Sequence, residues 1–177
     1  ISENFPSGSM PLYASKALCF KKIYTIAAEE HMGVDVVSPG ELYTALQAGF
    51  PMEKVFFHGN NKTDADIEFA IENHIGYFVC DNLDELDAID ETAERHGIVQ
   101  KILLRLTPGI DPHTHVKIST GKVDSKFGIA IETGQADEAI KAALDKKNVK
   151  LCGYHCHIGS QTFDIKPFVD GAEIMLK

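Results

Sequence analysis

Lys16 closes the apolar run Pro11-Leu12-Tyr13-Ala14-Ser15 and stands just before Ala17-Leu18, where a helical pattern opens. If that run is a strand, Ala14 and Lys16 share one face, and the small alanine leaves room beside the amine for something bulky. A buried or partly buried lysine can lose its proton and attack a carbonyl. By residue type alone, a solvated lysine at a strand–helix junction is the commoner case. The weight therefore rests on what else falls on the same rim. Asp35 and Glu41, His58-Gly59-Asn60-Asn61-Lys62, Asp81, Arg105 and His155-Cys156-His157-Ile158-Gly159-Ser160-Gln161 all lie at or just past the ends of apolar runs. His155 and His157 are two apart, so both can face one way. They would suit metal ligation if Asp35 and His58 joined them. They would equally suit an imidazole stacked on a planar cofactor, with Gly159 and Ser160 receiving an anionic group. A satisfied core histidine remains open for His155.

The elements that must carry these residues are short apolar runs alternating with helical patterns. The runs are Leu12–Ser15, Asp35–Val37, Val55–His58, Tyr77–Cys80, Ile102–Leu106 and Leu151–His155. Ser38-Pro39-Gly40-Glu41 reads as a capping box with proline at the first helical position. Thr63 and Asn82 are further N-cap candidates, and Gly33, Gly49, Gly76 and Gly97 suit left-handed C-cap positions. His31, His74 and His96 sit at helix ends, where the helix dipole favours them. This alternation predicts a parallel sheet covered by helices. No glycine-rich phosphate loop follows the first run, which argues against a doubly wound sheet. The prediction is a partial (β/α)8 TIM barrel with about six β/α units, its strand ends forming one catalytic face. The interval between the last two runs is long. It holds an irregular stretch over Thr107–Gly134, a lid candidate, and then a helix near Gln135–Lys147.

The chain has 177 residues, 44% hydrophobic and 24% charged, as expected of a globular domain. A formal charge of -9 with no basic tract argues against nucleic-acid or anionic-membrane partners. No apolar run approaches membrane-spanning length and no basic-then-apolar leader is present, which predicts a cytoplasmic protein. The four cysteines are scattered through apolar segments and read as reduced thiols. The chain begins at Ile1 and stops at Lys177 inside a helical pattern, which suggests a piece of a longer polypeptide.

Tyr13-Ala14-Ser15-Lys16-Ala17, His58-Gly59-Asn60-Asn61-Lys62, Asp124-Ser125-Lys126-Phe127-Gly128 and His155-Cys156-His157-Ile158-Gly159-Ser160-Gln161 resemble motifs of the diaminopimelate decarboxylases. These are pyridoxal-phosphate enzymes of the alanine racemase-like barrel class, and the motifs run in the expected order along essentially the whole chain. The first motif is shared by the wider class; the second and fourth are more specific.

The resemblance implies that Lys16 bonds covalently to pyridoxal 5'-phosphate and that His157 stacks on its ring, with Gly159 and Ser160 at the phosphate. It implies that Asp35 and Glu41 lie near the lysine, Arg105 near the ring, and His58 close to cofactor or substrate. Ser125 and Lys126 become substrate or lid candidates, and no resident metal is implied. The implied reaction is decarboxylation of meso-diaminopimelate to lysine, within lysine biosynthesis. The implied whole is a homodimer, in which residues 1–177 form an incomplete cofactor-binding barrel and a C-terminal β domain lies outside the chain. An arginine-, ornithine- or carboxynorspermidine-type decarboxylase, a non-catalytic relative and a metal-dependent barrel hydrolase are the competing readings.

Overall fold

The computed structural model describes residues 4–110, 127–160 and 162–177. Seven parallel strands are present among them: β1 (Leu12–Ala14), β2 (Gly33–Val36), β3 (Val55–Phe57), β4 (Tyr77–Cys80), β5 (Gln100–Thr107), β6 (Ile129–Ala130) and β7 (Val149–His155). The helices between them are α1 (Lys21–Glu29), α2 (Pro39–Gln47), α3 (Asp64–Glu72), α4 (Leu83–Arg95) and α5 (Gln135–Asp145), with α6 (Lys166–Met175) after β7. Strands β1 to β5 pair in chain order, and β5 then pairs with both β7 along its length and β6 at its C-terminal end. A doubly wound sheet reverses its strand order part-way, whereas a barrel wall runs sequentially. The observed order is that of a partial barrel wall. No helix among the described residues is long and apolar enough to cross a membrane.

Strand alternation sorts the two faces of the sheet. Val34, Val36, Val55, Phe57, Phe78, Cys80, Ile102 and Leu104 point toward the helices and are essentially inaccessible. They pack in one core with Tyr24, Leu42, Ile67, Ile71, Leu86 and Ile89. Burying each such side chain contributes about 1.5–3 kcal/mol, so this layer holds the wall together. The opposite face carries Asp35, Phe56, Tyr77, Val79, Leu103 and Arg105, with Asp35 and Arg105 toward the C-terminal strand ends. Phe56 and Tyr77, cross-strand neighbours in register, stack with centroids 4.4 Å apart.

The helix ends follow local chemistry. The Ser38 side chain accepts from Glu41 N, and Thr63 and Asp66 form a reciprocal capping box. The C-termini correct the sequence reading in two places. Gly49 and Gly97 take the left-handed position as expected, but after α1 and α3 it is His31 and His74 that do so, with φ of 58° and 57°. Gly33 and Gly76 are required for a different reason. A Cβ on Gly76 would lie 2.1 Å from the Glu53 carbonyl oxygen, so this glycine allows two backbone segments to touch. His96 caps α4 as expected and also bonds the carboxylate of Glu68.

Two further differences concern the strands. The first run ends at Ala14, and Ser15–Ala17 form a 3-10 turn, so Lys16 stands on a turn beyond the strand. The stretch expected to be irregular up to Gly134 contains β6, whose two residues are too few to show alternation.

Candidate functional site

The C-terminal strand ends converge on a cavity of about 470 Å3. Its lining gathers Lys16, Asp35, His58, Arg105, His157 and Ser160 from the sequence-predicted set, together with Asn60, Phe127 and His155. Register explains the convergence: Ala14 pairs with Asp35, and Arg105 pairs with His155. Lys16 is exposed on this wall, as residue type alone favours for a lysine at a strand–helix junction.

Asp35, His58 and His155 form the deep side. His58 Nε2 lies 3.8 Å from Asp35 Oδ2, and the His58 and His155 rings meet edge-on at 4.7 Å. Burial, then the neighbouring His155 and the cations beyond it, push the His58 pKa down to about 2. Burial and Arg105 push that of His155 down to about 3. Both imidazoles are therefore neutral at neutral pH, and the contact of His58 with Asp35 is not an ion pair. His157 is also held below its ordinary value by burial, with Arg105 and Lys16 adding to it. Burial raises Asp35 to about 6, with Lys16 and Arg105 pulling it back and Glu41 adding to the rise.

The sign of the Asp35 effect follows directly. A carboxyl whose folded pKa lies above its unfolded value loses stability as pH rises between the two, here from about 4 to about 6. Asp35→Asn is expected to stabilise the ligand-free protein above pH 6 by on the order of 2 kcal/mol, with the difference from wild type vanishing below pH 4. Thermal melts of both proteins across this range check it.

Arg105 is placed by two partners. Its Nη1 lies 3.5 Å from Asp81 Oδ1, and its guanidinium lies 4.6 Å from the centroid of Phe127. Asp81 Oδ2 also accepts from Gly128 N at 3.1 Å, and Thr107 Oγ1 donates to the Phe127 carbonyl at 2.9 Å. Gly128 has φ 75°, and a Cβ there would lie 2.7 Å from Thr107 Oγ1. The end of the Asp124–Gly128 motif is thus fastened to β5, with the Phe127 ring against the pocket. The sequence placed Asp81 on this rim and carried the motif, but not the contacts of the Asp81 carboxylate and the Phe127 ring with Arg105. Ser125 and Lys126 lie outside the described residues.

Glu41 and Gly159 do not line the cavity. Glu41 Oε2 instead accepts from Val37 N at 2.7 Å, fixing the start of α2. Its influence on the pocket is through charge on Asp35. Among the described residues no group of three or more His, Cys, Asp or Glu is disposed to hold a metal ion.

The cavity suits an anionic, planar, amine-reactive group. It offers the primary amine of Lys16, the guanidinium of Arg105, neutral imidazoles, and the hydroxyl of Ser160. Asp35 Oδ1, His58 Nε2 and His155 Nδ1 are buried without hydrogen-bond partners, as polar atoms awaiting a ligand would be. Its volume is in the range of cofactor sites, roughly 300–1,000 Å3. A separate cavity of about 300 Å3 between the N-terminal ends of α4 and α5 carries Asp81, Asp84 and Glu138 and no basic side chain in its described lining. It does not suit a phosphate.

Comparison with known proteins bears on the same residues. The family model for the pyridoxal-dependent decarboxylase, pyridoxal binding domain, matches residues 1–177. The chain is 52% identical over 157 residues to diaminopimelate decarboxylase of Bacillus methanolicus, covering 89% of this chain and 36% of that protein. It is 49% identical over 165 residues to the Staphylococcus aureus enzyme of the same name, covering 93% and 38%. The crystal structure of diaminopimelate decarboxylase from M. jannaschii in co-complex with L-lysine superposes with a TM-score of 0.87 at 40% identity, covering 99% of this chain and 40% of that one. The chain therefore spans little more than a third of the length of the curated relatives it matches.

Proposed function

The chain belongs to the pyridoxal-dependent decarboxylase family, of which it carries the pyridoxal-binding domain, and we propose that the protein containing it converts meso-diaminopimelate to lysine and carbon dioxide. The observation that carries this reading is the gathering of Lys16, Asp35, His58, Arg105, His157 and Ser160 around one cavity at the strand ends. The names of its relatives and the L-lysine complex of a structural neighbour support the choice of substrate.

Pyridoxal phosphate, when bound, supplies an aldehyde for a primary amine and a ring that accepts the electron pair left by departing carbon dioxide. Lys16 is the amine that would hold it, since its exposed side chain leaves the amine accessible in the cavity. His157, neutral because it is half-buried beside cations, would lie against the ring and keep water from one side. Ser160, exposed at the rim, would bond the phosphate, with the backbone at Gly159 beside it. Arg105, steadied by Asp81 and Phe127, would provide a fixed positive charge near the ring. Asp35 would balance the charge of Lys16 and Arg105, and His58 and His155 would present unprotonated nitrogens to bound groups. This domain would be completed by further barrel strands and a C-terminal β domain, acting as a cytoplasmic homodimer.

Full-length protein loaded with pyridoxal phosphate should release carbon dioxide from meso-diaminopimelate far faster than from ornithine or arginine. Preference for either of the latter, or no release from any, would overturn the substrate assignment. Within that assay, His157→Ala is expected to weaken cofactor binding and slow turnover by roughly a hundredfold. His155→Ala should do less, because its ring faces His58; the reverse ranking would exchange their roles.

A further inference from the structure

Lys62, the last residue of His58-Gly59-Asn60-Asn61-Lys62, does not reach the cavity. Its side chain is only 1% exposed, and its Nζ donates to Gly59 O at 2.8 Å, Val79 O at 3.0 Å and Glu85 Oε1 at 2.7 Å. An ammonium has three donors, and here each has an acceptor. The three acceptors belong to the loop after β3, to β4 and to the first turn of α4. One side chain thus ties together three elements beneath the pocket.

The loop after β3 is also held at its near end, where His58 N donates to Val36 O at 2.8 Å. Lys62 holds it one residue further on, at the carbonyl of Gly59, whose φ of 118° is open to glycine and rarely to other residues. Between these two tethers stands the His58 side chain, turned toward Asp35 and His155. Gly59 and Asn60 form the adjoining cavity wall. The charge of Lys62 needs only Glu85 for balance. Its bonds to two backbone carbonyls go beyond charge balance and fix the course of the chain.

We propose that Lys62 is a positioning residue that sets the His58–Asn60 wall of the cofactor pocket by clamping the Gly59 carbonyl to β4 and α4. The ligand readout below rests on the reading of the cavity as a pyridoxal phosphate site; the second readout does not.

Two variants of the full-length protein separate positioning from charge balance. Lys62→Met/Glu85→Met removes both buried charges together, so it leaves no stranded ion and should melt near wild type. Its dissociation constant for pyridoxal phosphate, titrated by visible absorbance and induced circular dichroism, should nevertheless rise roughly tenfold. The His58 imidazole resonance of the ligand-free protein should also move. Glu85→Gln keeps Lys62 on both carbonyls and should leave affinity and the His58 resonance at their wild-type values. Should the methionine pair not fold, Lys62→Gln/Glu85→Gln carries the same comparison with two amides able to bond each other. Wild-type affinity with an unmoved His58 resonance in the double variant would overturn the proposal, as would an equal loss in Glu85→Gln. If wild type takes up no pyridoxal phosphate, the proposed function fails, and the His58 resonance alone still decides the role of Lys62.

Discussion

Lys16→Ala should abolish covalent attachment of pyridoxal phosphate and lower decarboxylation by roughly a thousandfold or more. Among the described lining residues Lys16 is the one lysine, so its loss leaves the cavity without a primary amine. Lys62 cannot substitute, because its ammonium is buried and all three of its donors are engaged. Arg105 stays protonated and offers no nucleophilic lone pair. Cofactor retained by Arg105, Ser160 and the histidines would be exchangeable. The direct measurement is borohydride reduction of the loaded wild-type protein followed by peptide mass spectrometry, which should find the pyridoxyl group on Lys16. Recovery on Lys62 or Lys126 would remove the basis of the assignment. The Lys16→Ala protein should yield no reduced adduct while keeping its melting temperature within a few degrees, since an exposed turn lysine contributes little to packing.

Why the role of Lys16 was visible in the sequence, and the roles of Asp81 and Phe127 beside Arg105 were not, follows from the kind of signal each leaves. Lys16, His58 and His157 stand at the ends of apolar runs, and strand ends of a barrel share one face, so their convergence is readable before any coordinates. The fold was legible for the same reason: β2 to β5 are apolar runs bounded by caps that the structure contains. Asp81 lies on that rim too, but its work is to hold Arg105 and Gly128 N, a contact between residues 47 apart in the chain that no local pattern records. Glu41 shows the converse. Its capping position was clear from Ser38-Pro39-Gly40-Glu41, and the structure has its carboxylate accepting from Val37 N instead of lining the cavity. Strand β6 escaped because two residues carry no alternation. His31 and His74 in left-handed positions escaped because the glycines two residues on drew the assignment. Those glycines prove to be sites of close contact.

The second large effect concerns the 177-residue chain expressed alone, which is expected to aggregate, to hold pyridoxal phosphate weakly and to release no carbon dioxide. Among the described residues β1 pairs only with β2, and β7 pairs only with β5, so each leaves one edge without a partner strand. Unpaired edges template association with other chains unless something covers them. Apolar side chains lie open at both ends of the wall. Leu12, Leu18 and Phe20 are exposed around β1, and Tyr154, Phe168 and Val169 around β7 and α6, with Phe163 97% exposed. The layers that fill a closed barrel are dominated by valine, isoleucine and leucine, which an open wall would expose. On the open face Val79 is buried and Leu103 half-buried, beside Phe56, Tyr77 and the polar site. The exposed hazard is thus at the two edges more than across the interior. Sedimentation velocity of the isolated chain should show polydisperse assemblies, and its visible absorbance with pyridoxal phosphate should stay near that of free cofactor. Charged substitutions at Phe163 and Phe168 should raise the soluble fraction without restoring activity, because they quiet an edge and supply no missing wall. A monodisperse monomer that unfolds cooperatively and decarboxylates meso-diaminopimelate would show instead that this partial wall is a sufficient catalyst.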